Sequence, residues 1–166
     1  LLLAQGQSHQ AQPLLDELDQ TPAVRTELYY ASLLPELLRT AIAIGDAALA
    51  ARLADGVETH TPLAEHALSA CRAQLAEAAG DYGSAASLYS EAAERWRAFG
   101  TVPERAYALV GQGRCLVALR EPSSEAPLRD ARELFASMGY KPALAEADAL
   151  GRQHEVTAGS EAEGAG

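Results

Sequence analysis

A chain of 166 residues has the length of one ordinary domain or of about four helical hairpins. Its net charge of −10 and pI near 4.8 argue against nucleic acid and anionic membranes as direct partners, because like charges repel. Hydrophobic residues make up 48% of the chain but aromatic residues only 5%, so alanine and leucine must build most of the core. Since β-branched residues are sparse, the composition favours an all-α fold.

Cysteine usage and the N-terminal residues indicate a cytoplasmic setting. Cys71 and Cys115 fall on separate predicted helices without CxxC spacing, which argues against a disulfide framework and a zinc site. Leu1, Leu2 and Leu3 lack the basic residues and the length of a signal peptide. The chain lacks an initiator Met and opens in the middle of its pattern, so we expect a segment of a larger protein.

Taken in chain order, the predicted elements are all helices. Apolar residues recur at helical spacing over 9–19, 23–44, 46–58, 63–79, 82–98, 103–119, 124–137 and 143–152. Pro35 is expected to kink or split the second of these helices. Residues 154–166 are small, acidic and rich in glycine, so we expect a disordered tail after a helical domain of residues 1–153.

Two interleaved series of residues predict a repeat. Prolines that can open helices recur about every 40 residues, at Pro22, Pro62, Pro103 and Pro142. Small residues near the start of the other helices form the second series, at Ala11, Ala50, Ala85 and Ser124. Gly45 and Gly80 precede two of these small residues, where glycine suits a tight turn. Each predicted unit is therefore a helix, a tight turn and a second helix.

The repeat resembles the tetratricopeptide repeat. Gly80-Asp81-Tyr82, Ala85, Tyr89 and Ala92 match half of its signature, with a small residue, an aromatic four further on and an alanine three beyond. The first-helix Trp and Gly of the signature are missing, and the units are longer than the usual ~34 residues. This resemblance implies a right-handed superhelical stack of about four tetratricopeptide-like helical hairpins.

The segment from Gly80 to Leu150 is also similar to the C-terminal helical region of large actinobacterial signalling ATPases. These include LuxR-type regulators and proteins fused to adenylate or guanylate cyclase domains. The residues that carry the similarity are Leu88 to Ala93 with Trp96, Gly113 to Leu116, Ala131-Arg132 with Phe135, and Leu144 to Glu146 with Asp148. The similarity implies a sensor or scaffold arm beside a nucleotide-driven switch.

Candidate catalytic and cofactor-binding residues each have a simpler structural interpretation. Gly111-Gln112-Gly113 lies inside a predicted helix without a preceding strand, which favours close helix packing over nucleotide binding. His60 and His66 are six residues apart, too far round a helix to share a metal, and are interpreted as solvated or capping residues. Both cysteines are interpreted as buried small hydrophobes. The sequence therefore predicts no enzyme activity, no catalytic residue, no cofactor and no metal.

The predicted activity is binding. In a stacked-hairpin superhelix the first helices line the concave face, where polar side chains meet a protein or peptide, such as the upstream ATPase domain of the same parent chain. The predicted partner-binding residues are Ser32, Glu36, Arg39, Gln74, Glu77, Tyr107 and Arg114. An ordinary solvated face is the simpler interpretation of these residues.

Arg39 and Arg114 are the predicted carboxylate-binding residues among them. The function predicted is a non-catalytic interaction or regulatory module from the C-terminal part of a larger bacterial signalling or transcription-regulatory ATPase. The alternative left open is a compact helical bundle that holds a small molecule in an interior pocket near Tyr107.

Overall fold

The computed structural model describes the backbone of residues 8–164 and the side chains of residues 10–153. All regular structure in this range is helical, which confirms the all-α prediction. The α-helices are α1 (Ser8–Asp19), α2 (Tyr30–Ala43), α3 (Ala47–Ala54), α4 (Pro62–Ala78), α5 (Tyr82–Phe99), α6 (Val102–Ala118), α7 (Glu125–Met138) and α8 (Lys141–Gly164). Short 3₁₀ helices at Pro22–Thr26 and Pro122–Ser124 precede α2 and α7.

Polar N-caps and glycine turns set the helix boundaries. The Thr61 hydroxyl accepts a hydrogen bond from the Ala64 N–H at 3.2 Å, with proline at the first position of α4 as the sequence predicts. Asp46 and Asp81 cap α3 and α5 in the same way. Gly80 has a φ of +81°, a left-handed conformation that glycine adopts without steric cost, and this confirms the predicted turn.

Three predicted helix boundaries were wrong. The third predicted helix, α3, ends at Ala54 and not near residue 58. The second predicted helix divides upstream of Tyr30, and Pro35 lies within α2 instead of marking the division. Tyr30 is buried and its hydroxyl donates to the Leu53 carbonyl at 3.0 Å, a tertiary contact that helps to fix where α2 begins.

The last helix, α8, continues to Gly164 and does not end near residue 152. Alanine and glutamate, frequent in this segment, have high helix propensity, and extending an existing helix is easy compared with nucleating one. The disordered tail of residues 154–166 remains a prediction, because the side chains after Gln153 lie outside the described range.

The chain divides into two compact units, the first ending at Ala79 and the second beginning at Gly80. In unit 1, α2 packs against α3 and α4, and α1 packs against α3. The core of this unit combines leucines with one aromatic side chain and one cysteine: Leu15, Tyr30, Leu34, Leu38, Leu49, Leu53 and Cys71. Cys71 is buried, as predicted.

In unit 2, each of α5, α6 and α7 packs against the next helix, and α8 also contacts α6. Trp96 and Phe135 are its largest fully buried side chains, and Ala85 is fully buried. Gly111 permits close packing, because a Cβ at this position would lie 2.5 Å from the Tyr89 ring. Close helix packing, the predicted role of Gly111 and Gly113, is therefore confirmed, since a Cβ at Gly113 would likewise meet the Leu128 side chain.

Candidate partner-binding surface

Three of the predicted binding residues share one side of α2. Ser32, Glu36 and Arg39 follow the i, i+4, i+7 spacing that places side chains along a single helical face. Leu34 and Leu38 lie on the opposite side and are fully buried. Glu36 is exposed, Arg39 is partly buried, and the Ser32 hydroxyl donates to the Tyr29 carbonyl at 2.6 Å. The structure therefore brings these three predicted residues together.

Exposed apolar side chains lie beside them, and the sequence analysis missed these. Tyr29 is 72% exposed, Leu28 64% and Leu33 55%. Tyr29, Leu33 and Glu36 are also spaced i, i+4, i+7, so the apolar and polar residues form adjacent rows that share Glu36. The available signal was the phase of Leu33, which lies on a different face of α2 from the core positions Leu34 and Leu38. We refer to Leu28, Tyr29, Ser32, Leu33, Glu36 and Arg39 as the α2 surface.

Gln74 does not belong to a binding surface, which corrects its predicted role. Its side chain is only 4% exposed, and its amide nitrogen donates to the Pro35 carbonyl at 3.2 Å. The reason is the packing of α4 against α2, which turns this position towards the backbone of α2. Glu77, one turn further along α4, is partly buried.

The two remaining predicted residues, Tyr107 and Arg114, lie in unit 2. The Tyr107 ring packs edge to face on Phe135, with 5.1 Å between ring centroids, so it has an aromatic packing role within the unit. A guanidinium nitrogen of Arg114 lies 2.5 Å from a carboxylate oxygen of Glu146 on α8. The carboxylate partner predicted for Arg114 is thus supplied by its own chain.

A polar cluster ties the helices of unit 1 together. The Asp19 carboxylate pairs with Arg25 at 3.1 Å and with Arg52 at 2.8 Å. Burial raises the pKa of the Tyr30 hydroxyl above 10.0, with Asp19 adding to the rise and Arg25 opposing it. The hydroxyl therefore stays protonated at neutral pH and donates to the Leu53 carbonyl. This arrangement links α1, the first 3₁₀ helix, α2 and α3.

Within residues 10–153 no group of three or more His, Cys, Asp and Glu side chains is placed to hold a metal ion. His60 is exposed and lies 3.6 Å from Glu58, whereas His66 is partly buried. Among the described helices none combines the length and the apolar character needed to cross a membrane.

No family model, curated protein or solved structure matches this chain. The function therefore has to follow from the surfaces of the molecule itself.

Proposed function

We propose that this chain is a non-catalytic protein-interaction module and that the α2 surface binds a helix or peptide of its partner. One observation carries the proposal: Leu28 and Tyr29, directly before α2, and Leu33, on α2, are all more than half exposed and lie beside the polar row of that helix. Apolar side chains that cluster on a surface and are bordered by polar ones are typical of protein interaction sites.

The chemistry of the α2 surface defines the partner segment. Tyr29 supplies a large rigid ring with a hydroxyl at its end, the type of side chain that contributes most at interfaces. Leu33 supplies an aliphatic contact next to it. Glu36, at the meeting point of the two rows, offers a carboxylate to a basic side chain. An amphipathic segment with apolar residues and one Lys or Arg facing Glu36 fits this surface.

The parent protein is part of the same proposal. The resemblance of residues 80–150 to the C-terminal helical arms of bacterial signalling and transcription-regulatory ATPases supports a regulatory role beside such a domain. We place the module in the bacterial cytoplasm, in a right-handed superhelical stack of hairpins, without cofactor, metal or catalytic activity. The net charge of −10 supports a protein partner over nucleic acid or an anionic membrane.

The test measures binding of the upstream ATPase region of the parent protein. The wild-type chain is titrated calorimetrically against that region, purified separately, and compared with the double variant Tyr29→Ala, Leu33→Asp. Loss of two central apolar contacts at an interface should weaken binding about tenfold or more. Both residues are exposed, so the melting temperature should change little.

Unit 2 provides a matched control. Tyr82 and Leu119 are exposed to 38% and 44%, so Tyr82→Ala, Leu119→Asp makes the same chemical change at residues outside the α2 surface. The control should bind like the wild type. Equal weakening by the two double variants, or no binding of the ATPase region by the wild type, would contradict the proposal.

A further inference from the structure

A second surface of unit 1 is concave. A groove of about 320 Å³ lies between α1 and the first 3₁₀ helix, with Leu14, Glu17, Leu18, Thr21 and Val24 on its walls. We refer to these residues as the α1 groove. Leu18 and Val24 also pack against the core of the unit, so the apolar surface of the groove continues into a fixed interior. Leu14, 54% exposed, forms the outer edge.

The volume of the α1 groove limits what it can hold. About 320 Å³ is at the small end of the range for ligand pockets, and three of the five lining residues are aliphatic. Thr21 donates its hydroxyl to the Glu17 carbonyl, so its hydrogen is already used. The groove therefore suits an aliphatic side chain of a larger partner better than a polar cofactor.

The surrounding charge is negative. Helix α1 carries Asp16, Glu17 and Asp19 and no Lys or Arg. Arg25 and Arg52 both pair with Asp19 and exceed its charge by one unit, whereas Glu17 is exposed on the wall of the groove and Glu27 follows the 3₁₀ helix. The carboxylates of Asp16, Glu17 and Glu27 outweigh this one positive charge, so the region stays negative. A segment with a basic side chain next to its apolar anchor would meet complementary charge here.

We infer that the α1 groove binds a basic amphipathic segment of a protein, with an aliphatic side chain inserted between Leu14, Leu18 and Val24 and a Lys or Arg paired with Glu17. This site is separate from the α2 surface and extends the proposed interaction function. The two surfaces differ in their chemistry, since the α2 surface has an aromatic anchor and the α1 groove an aliphatic, acidic cleft.

The experiment uses the full chain and a fluorescein-labelled peptide of about 16 residues, with leucines at i, i+4 and i+7 and lysines elsewhere. Anisotropy titrations compare it with a peptide of the same composition whose leucines are spread around the helix. The amphipathic peptide should bind at least about tenfold more tightly, because only it presents its leucines together.

Variants of the chain separate insertion into the groove from general attraction to an acidic protein. Leu14→Asp adds a negative charge, so general attraction to the lysines would increase, whereas the loss of an apolar wall should weaken binding about tenfold. Glu17→Lys should also weaken binding, and more than Glu58→Lys, an equal change of charge at an exposed position outside the groove. The variant Tyr82→Ala, Leu119→Asp, whose residues are exposed in unit 2 and belong to neither surface, should leave this peptide's affinity unchanged.

Two results would overturn the inference. One is equal binding of the two peptides, and the other is a Leu14→Asp chain that binds as tightly as the wild type. Neither result would contradict the proposal for the α2 surface, because that proposal is tested with a different partner and different residues.

Discussion

At the scale of single residues, the close approach of helices in unit 2 depends on two glycines inside α6. A Cβ at Gly111 would meet three atoms of the Tyr89 ring within 2.8 Å, and one at Gly113 would meet the end of the Leu128 side chain. Tyr89 and Leu128 are themselves buried, so neither can move aside freely. Glycine is a poor helix former, and its presence at these positions is explained by packing.

Gly111→Ala should therefore destabilise the protein although alanine is the better helix former. The gain in helix propensity is about 1 kcal/mol, whereas overpacking a closed interior costs about 1–3 kcal/mol. Gly83→Ala is the matched control, since Gly83 also lies in a helix but nothing approaches within 4 Å of its Cβ position. Urea unfolding should show a lower midpoint for Gly111→Ala and an equal or higher one for Gly83→Ala. A stabilised Gly111→Ala would contradict the packing of Tyr89 on α6.

At the scale of elements, the Asp81 carboxylate caps α5 and makes the stability of the protein depend on pH. The Asp81 side chain accepts a hydrogen bond from the Ser84 N–H at 3.1 Å. Hydrogen bonds from Ser84 lower the pKa of Asp81 below its ordinary value of 3.8, because they stabilise the charged form. The stabilisation is complete above the ordinary pKa, and it disappears as the pH falls through the lowered pKa of the folded state.

Asp81→Ala should accordingly lower the melting temperature at pH 7 and should lower it less in strong acid. Asp81→Asn is the control, because asparagine is an equally good N-cap but has no titrating carboxylate. Its melting temperature should differ less from that of the wild type at pH 7 than that of the alanine variant. Thermal melts at several pH values measure this. A loss of stability in Asp81→Ala that is independent of pH would show that the carboxylate does not cap α5.

Most helices could be predicted because local signals set their limits. For α4 and α5, the apolar stripe, the capping residue and the turn glycine all lie within the segment itself. The start of α2 could not be predicted in this way, since the contact of Tyr30 with Leu53 joins residues that are 23 positions apart.

The candidate site was predictable to the same extent. The polar row of α2 follows from helical spacing, whereas the burial of Gln74 and the pairing of Arg114 with Glu146 depend on which helices pack together. The residue pattern of one sequence does not show which helices pack together. To predict that Tyr29 and Leu33 are exposed, one must also know which face of α2 points towards the core. The sequence pattern indicates that face only through the leucines that lie on it.

At the scale of the whole molecule, each unit has a core of its own. The core of unit 1 consists mainly of leucines, whereas unit 2 buries Trp96 and Phe135 against alanine-rich helices. Each unit is compact and has its own internal contacts, so the division at Gly80 is a natural place to separate the chain.

A fragment of residues 80–166 should fold without unit 1. Trp96 is the only tryptophan of the chain and is 1% exposed, so its fluorescence reports on unit 2 alone. Because α5 to α8 pack consecutively, the fragment should retain a helical circular dichroism spectrum and the blue-shifted emission of a buried indole.

In the full chain, thermal transitions followed by Trp96 fluorescence and by circular dichroism should differ, since only the second signal includes the helices of unit 1. Red-shifted emission from the isolated fragment would show that unit 2 depends on residues before Gly80. Coincident transitions in the full chain, together with a folded fragment, would show that the units fold separately but unfold as one when joined.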